Sequence, residues 1–372
     1  MIYLIKRKRI IKNMKISIIG LRGFPQIEGG VEKHCESLYP RIDDKIDITV
    51  YRRKPYVKEN GLYKNITFID LPSTKIKGVE AFFHSFIASI DAMKRKPDLV
   101  HYHNIGPALF CPIVKLRRIP VVLTYHSPNY EHGKWGKCAR ILLKFSEKIA
   151  LKYADEIIFV NKFQMQKYNE KILKKSIYVP NGINDLSVSN DVSYLKKIGV
   201  EKNKYILSVG RITPEKGFDT LIKAYYKAKL NNIKLVIAGG VEFENQYMSD
   251  LKKLCSDENV IFTGYVFGDD LCQLYTNASL YVLASRNEGF PLVLLEAMKY
   301  NLDVLVSDIP ATHLVSLNKD DYFKVNNYKE LAEKISNRVV IKQKRRYDLE
   351  DYDWNVIAKE ITSIYYKVLE EK

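Results

Sequence analysis

Short apolar runs alternate with longer segments of helical periodicity along most of this chain. In the first half, these runs predict strands at Lys15–Gly20, Ile46–Tyr51, Ile66–Asp70, Leu99–Tyr102, Val121–Tyr125, Glu156–Val160 and Ser176–Val179. The patterned segments between them predict helices at Gly30–Arg41, Val79–Arg95, Trp135–Tyr153 and Lys162–Lys171. Strands and helices that alternate in this way favour a parallel, doubly wound sheet.

A polar stretch without apolar periodicity, residues 183–190, follows and predicts a linker. The alternation then resumes with a predicted helix at Phe218–Lys229 and predicted strands at Tyr205–Val209, Lys234–Ala238, Val260–Thr263, Leu280–Leu283 and Asp303–Val306. We therefore expect two similar α/β domains, residues 14–182 and 191–350. Residues 351–372 are expected to end the chain with an amphipathic helix, Trp354–Glu370, that has Asp353 as its N-cap.

Composition narrows the class of protein. The five cysteines are scattered and form no C-x-x-C pair, so neither a disulfide framework nor a zinc site is indicated, and a reducing cytoplasm is expected. The chain has no apolar run of roughly 20 residues, the length needed to span a bilayer. Residues 1–13 precede a second methionine, Met14, and are interpreted either as a basic membrane-surface arm or as a mis-assigned start.

The net charge of +17 is unevenly distributed. Residues 1–180 hold 34 lysines and arginines against 16 acidic residues, whereas the remainder holds 26 against 27. This asymmetry predicts an acidic partner for the first domain, either an anionic membrane surface or a phosphate-bearing acceptor. Nucleic acid is disfavoured as a partner because no recognised binding motif and no aromatic platform accompanies the charge.

Two glutamates, Glu288 and Glu296, stand eight positions apart beyond the predicted strand Leu280–Leu283. Pro291 lies between them and suits the first turn of a helix, which places Glu288 in the loop and Glu296 in the helix. A carboxylate at a strand tip, followed by a helix whose free N–H groups attract anions, can hold a charged and hydroxylated ligand. The pattern suggests a sugar nucleotide.

The segment Ser285–Met298 resembles the E-x7-E signature of retaining glycosyltransferases with the GT-B fold, of the large family four kind. Three further segments match the family in order: Gly29-Gly30, Tyr178–Gly182, and Val209–Gly217. The resemblance implies two Rossmann-like domains facing a central cleft, with the C-terminal helix crossing back to the first domain. It covers nearly the whole chain.

The resemblance also implies roles for residues of the second domain. Arg211 and Lys216 would bind the diphosphate of the sugar donor, Glu288 would hold the sugar, and Glu296 would bind the ribose. Gly289 and Phe290 would present backbone N–H groups to the sugar hydroxyls, and Gly210, Val266 and Leu292 would lie around the rest of the donor. Other interpretations from the residues alone are two solvated basic side chains for Arg211 and Lys216, and a helix-capping or exposed pair for the two glutamates.

In the first domain, Gly29 and Gly30 would let backbone N–H groups approach phosphate, although they also suit a simple turn. The second strand ends in Tyr51-Arg52-Arg53 without the acid that binds a ribose, so an NAD enzyme is disfavoured. The resemblance implies that His126 reaches the donor sugar near the reacting carbon. The alternative is an ordinary buried histidine.

Two sequence motifs resemble metal-binding motifs, but we interpret neither of them as a metal site. His101 and His103 form an H-x-H pair, but no third ligand with suitable spacing is visible, so His103 and Asn104 are expected to line the acceptor side. The D-x-D tripeptide Asp351–Asp353 precedes a helix and is interpreted as a cap. We therefore expect no metal and no other cofactor, with protein cations and dipoles neutralising the diphosphate.

The resemblance implies retention of anomeric configuration by front-face transfer. The segments Leu21–Pro25 and Gly30–Glu36 resemble polysaccharide enzymes in particular. A basic stripe at Lys134, Lys137, Arg140, Lys144 and Lys148 favours docking to an anionic membrane. The leading hypothesis is a peripheral enzyme on the inner face of the cell membrane, moving a hexose-type sugar to a lipid-linked saccharide. The alternatives are a transferase for a small soluble acceptor and a non-catalytic sugar-nucleotide or polyanion-binding module.

Overall fold

The computed structural model describes residues 14–27, 29–57, 59–74, 76, 79–128, 130, 136–184, 188–241, 246–341 and 344–371. Two compact units make up the chain. The first unit runs to Gly182 and includes Asp351–Lys372, and the second unit is Ile183–Glu350. Residues 1–13, the proposed basic arm, lie outside the described residues.

The first unit is built on a seven-stranded parallel sheet with the order β3-β2-β1-β4-β5-β6-β7. Its strands are β1 Met14–Ile19, β2 Ile46–Arg53, β3 Ile66–Leu71, β4 Leu99–His103, β5 Val121–Tyr125, β6 Glu156–Phe159 and β7 Ser176–Tyr178. The helices that precede the second unit are α1 Gly30–Leu38, α2 Glu80–Arg95, α3 Cys111–Lys115, α4 Lys137–Tyr153, α5 Lys162–Met165 and α6 Glu170–Leu173.

The second unit has a six-stranded parallel sheet with the order β10-β9-β8-β11-β12-β13. The strands are β8 Tyr205–Val209, β9 Lys234–Ala238, β10 Val260–Gly264, β11 Leu280–Leu283, β12 Val304–Ser307 and β13 Tyr322–Phe323. The helices are α7 Ser193–Lys197, α8 Phe218–Ala228, α9 Gln246–Leu254, α10 Gly268–Asn277, α11 Leu292–Lys299 and α12 Tyr328–Ile341. The predicted fold class, two doubly wound parallel α/β domains, is confirmed.

The C-terminal helix α13, Trp354–Glu370, completes a core of the first unit. Trp354, Ile357, Ile361 and Tyr365 are all buried there against residues of α1 and β1. The helix begins where predicted because the Asp353 side chain accepts a hydrogen bond from the Asn355 N–H at 2.6 Å. A different set of buried side chains, which includes Ala88 of α2 and Ala150 of α4, forms a further core in this unit.

Several element boundaries differ from the prediction for local reasons. The helix expected to reach Arg41 ends at Leu38, and Pro40, which has no N–H to donate, lies in the 3₁₀ turn that follows. The helix expected at residues 162–171 is two short helices, because the Asn169 side chain accepts from the Ile172 N–H and starts a new one. Pro291 precedes α11 instead of lying in its first turn.

Within the described residues, none of the helices combines the length and the apolar character that a membrane crossing requires.

Candidate active site

The carboxyl ends of β8 and β11, which are neighbouring strands, bring two predicted segments of the second unit together. Gly217 makes their close approach possible, since a Cβ on this residue would lie 2.0 Å from the Ala284 carbonyl oxygen. Its φ of +66° is in the left-handed region, which also favours glycine. The loop after β8 is therefore packed directly against the end of β11.

The most informative contact at this edge joins Lys216 to Glu288. The Lys216 Nζ lies 2.6 Å from Glu288 Oε1, and the Ser285 hydroxyl donates to the same oxygen at 2.7 Å. Only 18% of the lysine side chain and 11% of the glutamate side chain are exposed. Two residues that were singled out from separate motifs thus form one partly buried, charge-assisted pair.

Glu296 lies on α11 and is half-buried. Its Oε2 accepts a hydrogen bond of 2.7 Å from the Tyr275 hydroxyl. Burial, followed by the nearby Glu296 carboxylate, raises the pKa of Tyr275 well above its ordinary value, so this tyrosine stays a hydrogen-bond donor. Tyr275 belongs to α10, a helix that was not predicted from the sequence.

The remaining predicted residues of the second unit lie near the same edge of the sheet. Gly210 and Arg211 directly follow β8, and the Arg211 side chain is exposed. Val266 follows β10 and is half-buried between the exposed rings of Tyr265 and Phe267, which stack at 6.2 Å. Gly289 and Phe290 lie between Glu288 and α11, which Leu292 begins, and Phe290 is buried.

Arg286 was not predicted, yet it anchors both loops. Its backbone N–H donates to the Glu215 carbonyl at 2.7 Å, and its guanidinium donates to Asp219 Oδ2 at 2.7 Å and to the Pro214 carbonyl. The hydrogen bond to Asp219 raises the pKa of Arg286 above its ordinary value. The only sequence signal was its position two residues before Glu288.

The predicted residues of the first unit lie at the carboxyl edge of its sheet. His103 ends β4, Asn104 follows with a φ of +72°, and His126 follows β5. Gly29 and Gly30 begin α1. A Cβ on Gly29 would lie 2.0 Å from Glu32 Oε2, whereas nothing lies within 4 Å of one on Gly30.

Glu32 bears on the phosphate role that the sequence suggested for Gly29 and Gly30. This buried acid lies in the first turn of α1, and its Oε1 accepts from the Arg22 N–H at 2.9 Å. Gly29 therefore has a structural use in admitting this carboxylate. A phosphate at the same helix end would have to lie beside that negative charge.

His126 and His103 belong to a buried chain of hydrogen bonds. His126 Nε2 lies 2.9 Å from His103 Nδ1, and His103 Nε2 lies 2.5 Å from the Tyr39 hydroxyl. His101, the other member of the H-x-H pair, instead contacts Thr124 Oγ1 and the Tyr365 hydroxyl, each at 2.7 Å. The two histidines of that pair therefore have different principal hydrogen-bond partners.

A further imidazole, that of His34 on α1, joins this group. One ring nitrogen from each of His34, His103 and His126 lies within 4.8 Å of the others, in an arrangement that could hold a metal ion. Burial lowers the pKa of His34 to about 4 and holds those of His103 and His126 well below the ordinary value, so these imidazoles are neutral at pH 7. Sequence spacing alone showed no third metal ligand for the H-x-H pair, because His34 and His126 are distant from His103 in the sequence.

The two parallel-sheet α/β units have the architecture of the GT-B glycosyltransferases. Residues 193–355 match the family described as Glycosyl transferases group 1, and residues 28–185 match Glycosyltransferase Family 4. The chain belongs to the GT-B glycosyltransferases of the family 4 type.

Relatives agree with this assignment. The chain is 28% identical to an uncharacterized glycosyltransferase of Methanocaldococcus jannaschii, over 95% of this chain and 98% of the relative. It is 27% identical to the N,N'-diacetylbacillosaminyl-diphospho-undecaprenol alpha-1,3-N-acetylgalactosaminyltransferase of Campylobacter jejuni, over 64% of this chain and 67% of the relative. In fold, it is similar to sucrose-phosphate synthase from Thermosynechococcus elongatus, with a TM-score of 0.78, 18% identity, and coverage of 97% and 100%.

Proposed function

We propose that the protein is a retaining, metal-independent glycosyltransferase that moves a hexose-type sugar from a nucleotide-diphosphate donor to a hydroxyl of a lipid-linked saccharide, in surface polysaccharide biosynthesis. The observation that carries this proposal is the Lys216–Glu288 contact of 2.6 Å. It joins the lysine that we predict to bind the diphosphate to the glutamate that we predict to bind the sugar. In transfer, the bond between the anomeric carbon and the leaving phosphate oxygen breaks, and a bond from that carbon to the acceptor hydroxyl oxygen forms on the same face. Negative charge grows on the diphosphate, whose departing oxygen accepts the proton of the acceptor hydroxyl.

Arg211 and Lys216 stabilise that growing charge. At about 4 Å and an effective dielectric near 20, two opposite unit charges attract by about 4 kcal/mol. Groups fixed before the reaction begins are most effective, since they need not reorganise in the transition state. Lys216 is fixed by Glu288, and the backbone of its loop is fixed by Arg286.

Glu288 accepts hydrogen bonds from the hydroxyls of the sugar, assisted by the N–H groups of Gly289 and Phe290. Glu296 accepts the ribose hydroxyls, and its Tyr275 hydrogen bond supports this role because it orients one carboxylate oxygen. Gly210, Val266 and Leu292 surround the nucleotide. In the first unit, Gly29 and Gly30 approach the donor, His126 contacts the sugar, and His103 and Asn104 contact the acceptor.

A lipid-linked acceptor is supported by the surface of α4. Ile141 and Phe145 are 69% and 53% exposed, and Leu142 is exposed as well. The exposed cations Lys137, Arg140, Lys144 and Lys148 lie on the same helix, while Lys134 lies outside the described residues. Exposed apolar side chains among basic ones are typical of a helix that lies on an anionic membrane, at about 1 kcal/mol for each cation. The relative from Campylobacter jejuni has an undecaprenol-linked compound in its name.

Flotation with vesicles tests the membrane contact. The protein should float with vesicles that contain phosphatidylglycerol, and high salt should release it. The double substitution Ile141→Ser with Phe145→Ser should abolish flotation, whereas Val356→Ser, a change at an exposed apolar residue of α13, should not. Equal flotation of both variants would argue against α4 as the contact.

A second candidate is transfer to a small soluble acceptor, which the similarity in fold to sucrose-phosphate synthase favours. Release of nucleoside diphosphate from a panel of sugar nucleotides should be measured with polyprenol-linked and with soluble saccharides. Release only with the polyprenol-linked acceptor supports the first function, and release with soluble sugars supports the second. If the protein bound donors but released no nucleoside diphosphate with either acceptor, it would be a non-catalytic binding module.

A further inference from the structure

His34, His103 and His126 converge from three separate elements of the first unit. His34 lies on α1, His103 ends β4, and His126 follows β5. Their ring nitrogens reach within 4.8 Å of one another. The ends of neighbouring parallel strands meet at one edge of the sheet, so this convergence follows from strand order and not from spacing in the sequence.

The His34 ring has one satisfied and one unsatisfied nitrogen. Its Nδ1 lies 2.7 Å from Asn181 Oδ1, an acceptor, so Nδ1 carries the proton and Nε2 holds a lone pair. Within the described part of the chain, the buried Nε2 has no hydrogen-bond partner, and the residue is only 3% exposed. An unpaired buried polar atom is costly, and a lone pair in this state is suited to a cation.

His103 and His126 share a proton across the 2.9 Å between Nδ1 and Nε2. When His103 donates from Nε2 to the Tyr39 hydroxyl, its Nδ1 is an acceptor. If His126 moves its proton from Nε2 to Nδ1, its Nε2 holds a lone pair, and a cation can take the place of the proton that the two rings share. The lone pairs of His34 Nε2, His103 Nδ1 and His126 Nε2 would bind that cation together.

We propose that His34, His103 and His126 form a three-histidine site for a divalent transition-metal ion of the zinc type. Three neutral imidazoles suit zinc, copper or nickel, whereas magnesium and calcium prefer oxygen ligands. Zinc–nitrogen bonds of about 2.0 to 2.1 Å in tetrahedral geometry place ligand nitrogens roughly 3.3 Å apart. The His103–His126 distance of 2.9 Å is close to that value, and a ring nitrogen of His34 lies within 4.8 Å of both other histidines.

The surroundings of the imidazoles fit this assignment. Ligand histidines usually hydrogen-bond through the ring nitrogen that is not bound to the metal, which fixes the tautomer and the ring orientation. Asn181 does this for His34, and Tyr39 does it for His103. His126 is only half-buried, and the fourth ligand would be water or another oxygen atom.

This site does not depend on the proposed glycosyl transfer. It uses the His126 imidazole that the transfer proposal assigns to the sugar, so bound zinc should lower the rate of transfer, and a chelator should not abolish it. Metal content is measured without substrate, so failure of one proposal is distinguishable from failure of the other.

The test uses the full chain, stripped with a chelator, in a Cys138→Ser background that removes an exposed thiol. After incubation with zinc and gel filtration, metal analysis should find one ion per chain in this protein and in the control His313→Gln, whose histidine is in the second unit. His34→Gln should retain no ion. A chain without zinc, or equal zinc in His34→Gln, would overturn the proposal.

Trp354 gives an independent measurement, because its ring centroid lies 5.1 Å from that of His34. With Trp135→Phe, Trp354 is the remaining tryptophan, and paramagnetic Co²⁺ or Cu²⁺ should quench its fluorescence at one equivalent. Quenching should disappear in His34→Gln. Unquenched fluorescence at saturating metal would count against the site.

Asn181 keeps the proposal testable if His34→Gln does not fold. Asn181→Asp retains an acceptor for the His34 Nδ1–H and should bind zinc at least as tightly. Asn181→Leu removes that acceptor and should weaken zinc binding roughly 10- to 100-fold. Equal affinity in the two variants would contradict the arrangement.

Discussion

The side chains that converge at the two sheet edges differ in charge, with an ion pair in the second unit and three neutral imidazoles in the first. At the second unit's edge, Lys216 and Glu288 form a charged pair, and Arg286 is charged as well. At the first unit's edge, His34, His103 and His126 are neutral because burial lowers their pKa values. Fixed charges suit the binding of a diphosphate, whereas neutral imidazoles suit hydrogen bonding or metal coordination. Two sheets of the same class can thus present different chemistry.

Trp354→Ala should have the largest effect and should be confined to the first unit. The indole is 2% exposed, and it packs so closely on Gly182 that a Cβ there would lie 2.5 Å from it. Truncation of a buried tryptophan costs about 3 to 5 kcal/mol. Urea denaturation followed by circular dichroism measures the loss, and Val356→Ala, at an exposed residue of the same helix, should change it by less than about 0.5 kcal/mol. If Trp354→Ala lowered the free energy of unfolding as little as Val356→Ala does, Trp354 would contribute little to the core.

Lys216→Ala should lower turnover by roughly 10²- to 10³-fold, the usual effect of removing one group that stabilises transition-state charge. Lys223→Ala is a matched control because this exposed lysine lies on α8, beyond the Lys216 loop. Initial rates at saturating sugar donor measure the effect. Turnover that survives in Lys216→Ala would contradict the diphosphate role.

Acid should destabilise the first unit through His84. Burial, then the nearby Arg53 charge, lowers the pKa of His84 from 6.5 to about 4. The unfolded chain therefore binds more protons between these values, so stability is complete above pH 6.5 and falls as the pH approaches 4. The shift corresponds to a loss of about 3 kcal/mol at pH 4.

Tryptophan fluorescence can follow this loss, since Trp354 belongs to the first unit. His84→Leu should reduce the dependence of unfolding free energy on pH between pH 6.5 and 4. The control is His313→Leu, because His313 is exposed and lies in the second unit. An unchanged pH dependence in His84→Leu would show that folding does not lower the pKa of this imidazole.

Glu296→Gln should have the smallest effect, a loss of nucleotide affinity of about 1.5 kcal/mol, because one charge-assisted hydrogen bond becomes neutral. Calorimetry with a nucleoside diphosphate and its 2′-deoxy form sharpens the test. The original protein should discriminate between the two ligands, and the variant should discriminate less. If the original protein and Glu296→Gln discriminated equally between the two ligands, Glu296 would not bind the ribose.

Local pattern was sufficient to predict most of the fold. Buried parallel strands such as Val121–Tyr125 are continuous apolar runs that stand out from their flanks. The sequence did not predict helices α9, α10 and α12 or the short helices α3 and α7. Helices α9 and α10 are largely polar, and α9 buries only Leu251. The two-residue strand β13 is too short to show a period.

Candidate site residues could be selected from the sequence only where a motif contains them. Glu288 and Lys216 come from recognisable segments, but their contact depends on β8 lying beside β11. Arg286, Tyr275 and His34 have no distinctive neighbours in the sequence, and their partners are fixed by strand order and helix packing. The three-histidine cluster is the clearest case, because the H-x-H pair directed attention to His101, whereas the imidazoles that converge with His103 are those of His34 and His126.

The placement of α13 has a consequence for biosynthesis. The ribosome makes residues 183–350 before it makes the helix that supplies Trp354, Ile357, Ile361 and Tyr365 to the first unit's core. The second unit can therefore fold as soon as it emerges. Until α13 is made, the first unit leaves exposed the apolar side chains that this helix covers. Although domains usually fold in the order of synthesis, this enzyme should complete its amino-terminal half last.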